Sequence, residues 1–237
     1  MKHILFICSF LLLTQSVNAQ LFSKERIRNL DNIDKKRLSY GYTLGVNSYS
    51  FNFDYVQDKK DILVEKSTGF NVGLIGNLRI NEYLDLRLEP TAVFNTRTIT
   101  YDKSYFTGLE YTDSDLTREV RSTYIHVPLL LKISTKRLNN FKPFIVGGVS
   151  TALNLSSNEN NPDDNSNGQF RIKKNMYFYE IGFGIDFYLY FFKFTPSIRG
   201  IFAINDELVR DVDPNSPWTG NIHSMKTQGI FINFTFQ

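Results

Sequence analysis

From Leu38 onward the chain alternates apolar and polar residues with a period of two, the pattern of strands whose faces meet different surroundings. Over Thr68–Asn81, Phe70, Val72, Leu74, Leu78 and Ile80 share one face, and Asn71, Gly73, Asn77, Arg79 and Asn81 the other. Tyr83–Tyr101 sets Leu84, Leu86, Leu88, Ala92 and Phe94 against Asp85, Arg87, Glu89 and Thr91. Lys174–Leu189 sets Tyr177, Tyr179, Ile181, Phe183, Ile185 and Phe187 against Glu180, Gly182, Gly184 and Asp186. Phe192–Asn205 sets Phe192, Phe194, Ile198, Phe202 and Ile204 against Lys193, Thr195, Ser197 and Arg199. With Leu38–Val56, Arg121–Ser134, Phe141–Leu155 and Met225–Gln237, eight strands are predicted. In the first, the apolar positions change parity, from Tyr40, Tyr42, Leu44 and Val46 to Tyr49, Phe51, Phe53 and Tyr55. One extra residue would do this, so a β-bulge is predicted at Asn47–Ser48.

The connections alternate in length. Those near Asp58–Lys66, Asp102–Glu119, Ser156–Phe170 and Asp206–Asn221 are long and polar, and those near Asn81–Glu82, Thr135–Asn140 and Leu189–Phe191 are short. This predicts an antiparallel up-and-down barrel with loops at one rim and turns at the other. The Ser157–Gly168 loop is almost all turn formers. The large apolar face is aromatic, while the polar face is rich in Gly, Ser, Thr and Asn with a few charges. Eight strands enclose only enough room for side chains. The small polar face therefore points inward and the Phe/Leu/Ile face points to lipid, where a closed barrel satisfies every backbone group. A secreted soluble barrel is the alternative. The expected lumen charges are Arg79, Arg87, Lys132, Lys193 and Arg199 against Asp85, Glu89, Glu180 and Asp186, a nearly balanced ion-pair network. Tyr40, Tyr42, Tyr188, Tyr190 and Phe191 at one rim, and Tyr101, Tyr105 and Tyr177 at the other, are expected at the membrane interfaces.

Residues 1–19 have a basic start, an apolar run from Ile4 to Leu13 and a small-residue site at Val17-Asn18-Ala19, which reads as a secretory signal peptide. Cleavage after Ala19 would remove the only cysteine, Cys8, and with it any disulfide, thiolate metal site or cysteine nucleophile. Residues 20–37 are polar and read as a short periplasmic arm; residues 38–237 form the barrel. The arm carries a loosely helical apolar set, Ile27, Leu30 and Ile33, suited to docking a partner. The net charge of +3 is spread without a basic stripe, so nucleic acid is not expected as a partner. An aromatic content of 15% argues against disorder.

Candidate chemistry is sparse. Outside the signal, the histidines are His126 and His223. His126 shares the inward face with Lys132 and is expected to be a satisfied lumen residue, although barrels acting on lipid A make a His/Ser/acid site worth testing. No nucleophile elbow, phosphate loop or metal-ligand spacing occurs, so no catalytic residue, metal or cofactor is expected. Asp163-Asp164 reads as solvated loop charge. The carboxylates Asp85, Glu89, Glu180 and Asp186 read as partners of the arginines.

Two stretches carry a family resemblance. Asn29-Leu30-Asp31-Asn32-Ile33-Asp34-Lys35-Lys36-Arg37, running into Tyr40-Gly41-Tyr42-Thr43-Leu44-Gly45-Val46-Asn47, resembles the start of the PorT/SprT proteins of Bacteroidetes. Tyr124-Ile125-His126-Val127-Pro128-Leu129-Leu130-Leu131-Lys132 and Lys142-Pro143-Phe144-Ile145-Val146-Gly147-Gly148 are similar to strands of the wider PorT-like barrel family. The resemblance implies a non-enzymatic outer-membrane component of type IX secretion and gliding. Its partners would be other secretion components, outer-membrane lipid and lipopolysaccharide, and the barrel-assembly machinery during insertion. A generic surface barrel, adhesin or receptor, is the alternative reading, and a lipid A-modifying enzyme a third. The chain departs from the usual barrel pattern at its end, where Gln237 follows Phe236.

Overall fold

The computed structural model describes residues 28–57, 61–161 and 170–237. Residues 1–27, which hold the signal segment and the first part of the arm, and residues 162–169, which hold Asp163-Asp164 and much of the Ser157–Gly168 loop, lie outside the described residues. Ten strands form one antiparallel sheet: β1 (Leu38–Tyr55), β2 (Leu63–Lys66), β3 (Thr68–Arg79), β4 (Leu84–Leu88), β5 (Thr91–Thr100), β6 (Thr117–Ser134), β7 (Phe141–Asn154), β8 (Asn175–Tyr188), β9 (Lys193–Ala203) and β10 (Ile222–Phe236). β2 and β3 are one pass broken at Ser67; β4 and β5 are one pass broken at Glu89-Pro90. Proline cannot donate to a ladder, which accounts for the second break. Because β1 pairs with both β10 and β3, the eight passes close into a ring.

No bulge occurs at Asn47–Ser48. The β1 register runs unbroken from Tyr42↔Phe236 to Asp54↔Ser224, and its pairing with β3 is equally regular. Odd residues of β1 point inward throughout: Thr43, Asn47, Tyr49 and Phe51 are all buried. What changes at Asn47 is the surroundings. β1 and β6 are each 18 residues long, whereas about 10 tilted residues cross a bilayer. The barrel therefore projects beyond the membrane at its long-loop end. There the outward face turns polar, with Asn52 and Asp54 on β1 and Glu119 and Arg121 on β6. The inward face becomes apolar, as in a soluble barrel.

The interior is layered accordingly. A belt of Tyr49, Val93, Tyr124, Phe178, Ile201 and Phe231 crosses the lumen. Above it, residues of the long connections, among them Ile62, Tyr101, Phe106, Phe170 and Leu208, pack with Phe51 and Ile99 into an apolar cap. Tyr101 and Tyr105 belong to this cap and not to an interfacial girdle, and burial raises the pKa of both phenols. Tyr188 is likewise buried, at the opposite mouth, while Tyr40, Tyr190 and Phe191 are exposed on the rim. The lipid-facing band between them is apolar, with Leu74, Ile145, Ile181 and Phe183 outward.

Candidate functional site

Strand alternation delivers the expected charges to the lumen. Asp85, Arg87, Glu89, Lys132, Glu180, Asp186, Lys193 and Arg199 are all buried. Two groups form. Near the short-turn end, Lys132 pairs with Asp186, whose other oxygen accepts from Thr195 Oγ1 at 2.8 Å. Lys132 also lies 4.2 Å from the Phe144 ring centroid. Deeper in, Arg199 Nη1 lies 2.8 Å from Glu89 and 3.4 Å from Glu180, and Arg87 lies 3.5 Å from Glu89. Arg79 stands apart: it is half-buried at the mouth and donates to the Asn81 carbonyl at 3.2 Å. Asp85 and Lys193 line a mouth cavity of about 20 Å³ together with Arg79, Lys142 and Asp34. That is room for about one water molecule.

The interior carries more cations than expected. Among the described residues, eight cations are buried, Arg87, Arg97, Arg118, Lys132, Lys142, Arg171, Lys193 and Arg199, against five anions, Asp85, Glu89, Glu180, Asp186 and Glu207, and Arg171 pairs with Asp211, whose side chain is also buried. Neutral groups hold several of these cations. Arg97 sits 3.8 Å over the Phe51 ring and donates to Thr227 Oγ1 and Ser122 Oγ, both at 2.7 Å, and to Tyr124 OH at 3.1 Å. Lys142 donates to the Glu82 carbonyl at 2.9 Å, whereas Arg118 adds an ion pair with Asp115 at 3.7 Å to its bonds with the Ser114 and Thr117 carbonyls. Parity along β5, β6 and β7 marks Arg97, Arg118 and Lys142 as inward, so the signal for them was present in the alternation.

His126 is fully buried beside Phe178 and Phe231. The fold brings Ser150 and Glu180 to it, a set that no local motif announced. Ser150 Oγ lies 2.8 Å from Nε2, and Glu180 lies 3.0 Å from the same nitrogen. A nucleophile–base–acid relay uses both ring nitrogens. Here one nitrogen takes both contacts, so the trio is built to position His126 against Glu180 rather than to activate the serine.

The described end of the arm is fastened to the mouth. Asn29 N donates to Asn140 Oδ1 at 3.0 Å, and Asn29 Nδ2 donates to the Tyr188 carbonyl at 3.2 Å. Tyr188 OH donates to Asp34 Oδ1 at 2.8 Å. Arg137 donates to the Asn29 carbonyl, stacks 3.7 Å over the Tyr188 ring and lies 3.7 Å from Asp34. Over the described residues 28–37 the arm is not the loose helix expected. Leu30 adopts φ 53°, and only Ile33–Lys35 forms a single 3₁₀ turn. A left-handed residue ends any helix that reaches it. Leu30 and Ile33 are half-buried, Ile33 lines the mouth cavity, and Ile27 lies outside the described residues.

A ring of strands with a lipid-facing apolar band, a charged lumen and long loops at one rim defines an outer-membrane β-barrel. The chain belongs to the outer membrane protein beta-barrel domain family, whose model matches residues 18–209. Among curated proteins, none matches the sequence. Solved structures with a similar course include OprG from Pseudomonas aeruginosa, at 14% identity and a TM-score of 0.45 over 83% of this chain and 94% of that one. Neisserial surface protein A gives 8% identity and 0.42, covering 84% of this chain and 98% of that one. Ail of Yersinia pestis, in complex with a heparin analogue, gives 10% and 0.37 over 83% and 96%.

Proposed function

We propose that the protein is a non-enzymatic outer-membrane component of the type IX secretion and gliding machinery, reaching the membrane after removal of residues 1–19. It acts through the surfaces it presents to the periplasm and the exterior. The observation that carries this reading is the fastening of the arm: Asn29, Asp34, Arg137 and Tyr188 hold its described end against the mouth. Such an anchor lowers the ordering cost of docking another component. The resemblance of the arm and first strand to PorT/SprT proteins gives the process. Side chains fill the lumen from the Lys132–Asp186 pair to the apolar cap, which directs attention to the surfaces rather than to a passage or a buried site. Deleting the gene should abolish export of extracellular protease and gliding, and the plasmid-borne gene should restore both. Normal export in the deletion strain would rule the reading out. A surface-receptor role is favoured by one observation, a hollow at the long-loop rim.

A further inference from the structure

We propose that the hollow beside residues 214–220, at the long-loop rim, is a binding site for a neutral saccharide. It measures about 390 Å³, within the usual range of small-ligand sites of roughly 300–1,000 Å³. Among the described residues its lining is uncharged: amides from Gln57, Asn215 and Asn221, hydroxyls from Ser104 and Thr107, and apolar patches at Val56 and Leu109. This set suits one ligand class. Phosphates and carboxylates are held by cations, which the described lining lacks. An acyl chain needs a continuous apolar wall, and here the apolar residues are interspersed with amides and hydroxyls. A sugar ring offers hydroxyls to amides around its edge and C–H groups to small apolar patches on its faces.

The hollow is also preformed. Asn221 Oδ1 accepts from Gln57 N at 2.9 Å, and its Nδ2 donates to the Gln57 carbonyl at 3.2 Å, which ties the end of β1 to the start of β10. Gly220 N donates to the Ser216 carbonyl at 2.9 Å and closes the turn. Trp218 Nε1 donates to the Asp115 carbonyl at 3.0 Å, and the Trp218 carbonyl accepts from Tyr101 OH at 2.9 Å, fixing this segment to the cap. The side chains of Gln57, Ser104 and Asn215 are exposed and hydrogen-bond to no other described residue, so their donors and acceptors are available. A second hollow, of about 310 Å³, shares Val56, Pro214 and Gly220 but is lined by Arg210, Asp211, Asp213 and His223. Charged and neutral chemistry are thus segregated on the two sides of one turn. Because long loops face outward in such barrels, the neutral side opens toward the polysaccharide-bearing exterior.

Trp218 is the only tryptophan in the chain and adjoins Pro217 in the lining, so its emission reports on occupancy. The test uses the full chain in a zwitterionic detergent, since sugar-headed detergents would compete. It is titrated with a panel of neutral oligosaccharides: maltohexaose, cellohexaose and linear mannan fragments. At least one should give a saturable emission change insensitive to added salt. Gln57→Ala/Asn215→Ala, altering two exposed side chains, should keep heat-modifiable migration and bind roughly tenfold more weakly, as expected for two lost neutral hydrogen bonds. The proposal is overturned if no neutral oligosaccharide in the panel gives a saturable change. It is equally overturned if the double variant binds as tightly as the parent, or if only sulfated saccharides or a Ser/Thr-rich peptide give the response. None of these outcomes depends on the export role.

Discussion

At the scale of single residues, Arg199 shows how a buried charge is kept in a barrel. Its guanidinium serves Glu89 and Glu180 at once, and Glu180 in turn holds His126. Arg199→Ala would leave two buried carboxylates short of a partner, and removing one member of a buried pair costs about 3–5 kcal/mol. The urea midpoint of the folded barrel should fall accordingly. Arg79→Ala, at the half-buried mouth, should shift stability by only about 0.5 kcal/mol or less. Equal effects of the two would contradict the layered lumen. Glu207, in the β9–β10 connection, makes a pH prediction. Burial raises its pKa above the ordinary glutamate value, although the carboxyl accepts from Thr227 N at 2.7 Å and Thr227 Oγ1 at 2.8 Å. A raised folded pKa means that protonation favours the fold. The cap should therefore be most stable at pH below the ordinary glutamate pKa, about 4.3, and lose stability as pH rises through the raised value. Trp218 emission during thermal unfolding reads this, and Glu207→Gln should flatten the dependence. A parent whose cap gains stability over that rise would refute the assignment.

At the scale of strands, alternation made most of the barrel legible. The inward sets on Tyr83–Tyr101, Lys174–Leu189 and Phe192–Asn205 are those observed, because lipid outside and a narrow polar lumen inside impose opposite demands on neighbouring residues. The same rule misled wherever a strand leaves the membrane. Tyr49 and Phe51 read as lipid-facing, since the expectation assumed one environment along the whole strand; they face inward beneath the cap. β6 begins at Thr117 rather than Arg121 for the same reason: Glu119 read as loop, although it pairs with Arg121 at 2.9 Å on the outward, water-facing side of the strand. The arm was legible as polar and attached, but its fastening was not. Asn29 is 108 positions from Arg137 and 159 from Tyr188, and only closure of the ring brings them together. Adjacent glycines on β7 provide a strand-scale test. A Cβ on Gly148 would lie 2.2 Å from the Leu129 carbonyl oxygen, whereas one on Gly147 would come no closer than 3.5 Å to Glu180 O. Gly148→Ala should destabilise by about 1–3 kcal/mol, as overpacking does, while Gly147→Ala is tolerated. The opposite order in unfolding midpoints would mean a different β6–β7 register.

At the scale of the whole molecule, the barrel has two dissimilar ends. One is closed by an apolar cap of long connections, and the other by the fastened arm and a ring of charges. Long loops face outward in bacterial barrels, so an epitope inserted at the exposed Asn160 should be labelled by antibody on intact cells. Labelling only after lysis would invert the orientation. With that orientation, the pinned end of the arm, Asn29 to Asp34, lies at the periplasmic mouth, as the proposed docking role requires. The most direct measurement of the proposed role is export by a strain whose chain lacks Phe22–Asn32 but keeps the signal segment and the barrel. The account predicts that the truncated barrel is inserted, with unchanged heat-modifiable migration, while extracellular protease falls to the level of the gene deletion. Normal secretion by the inserted, truncated barrel would contradict it.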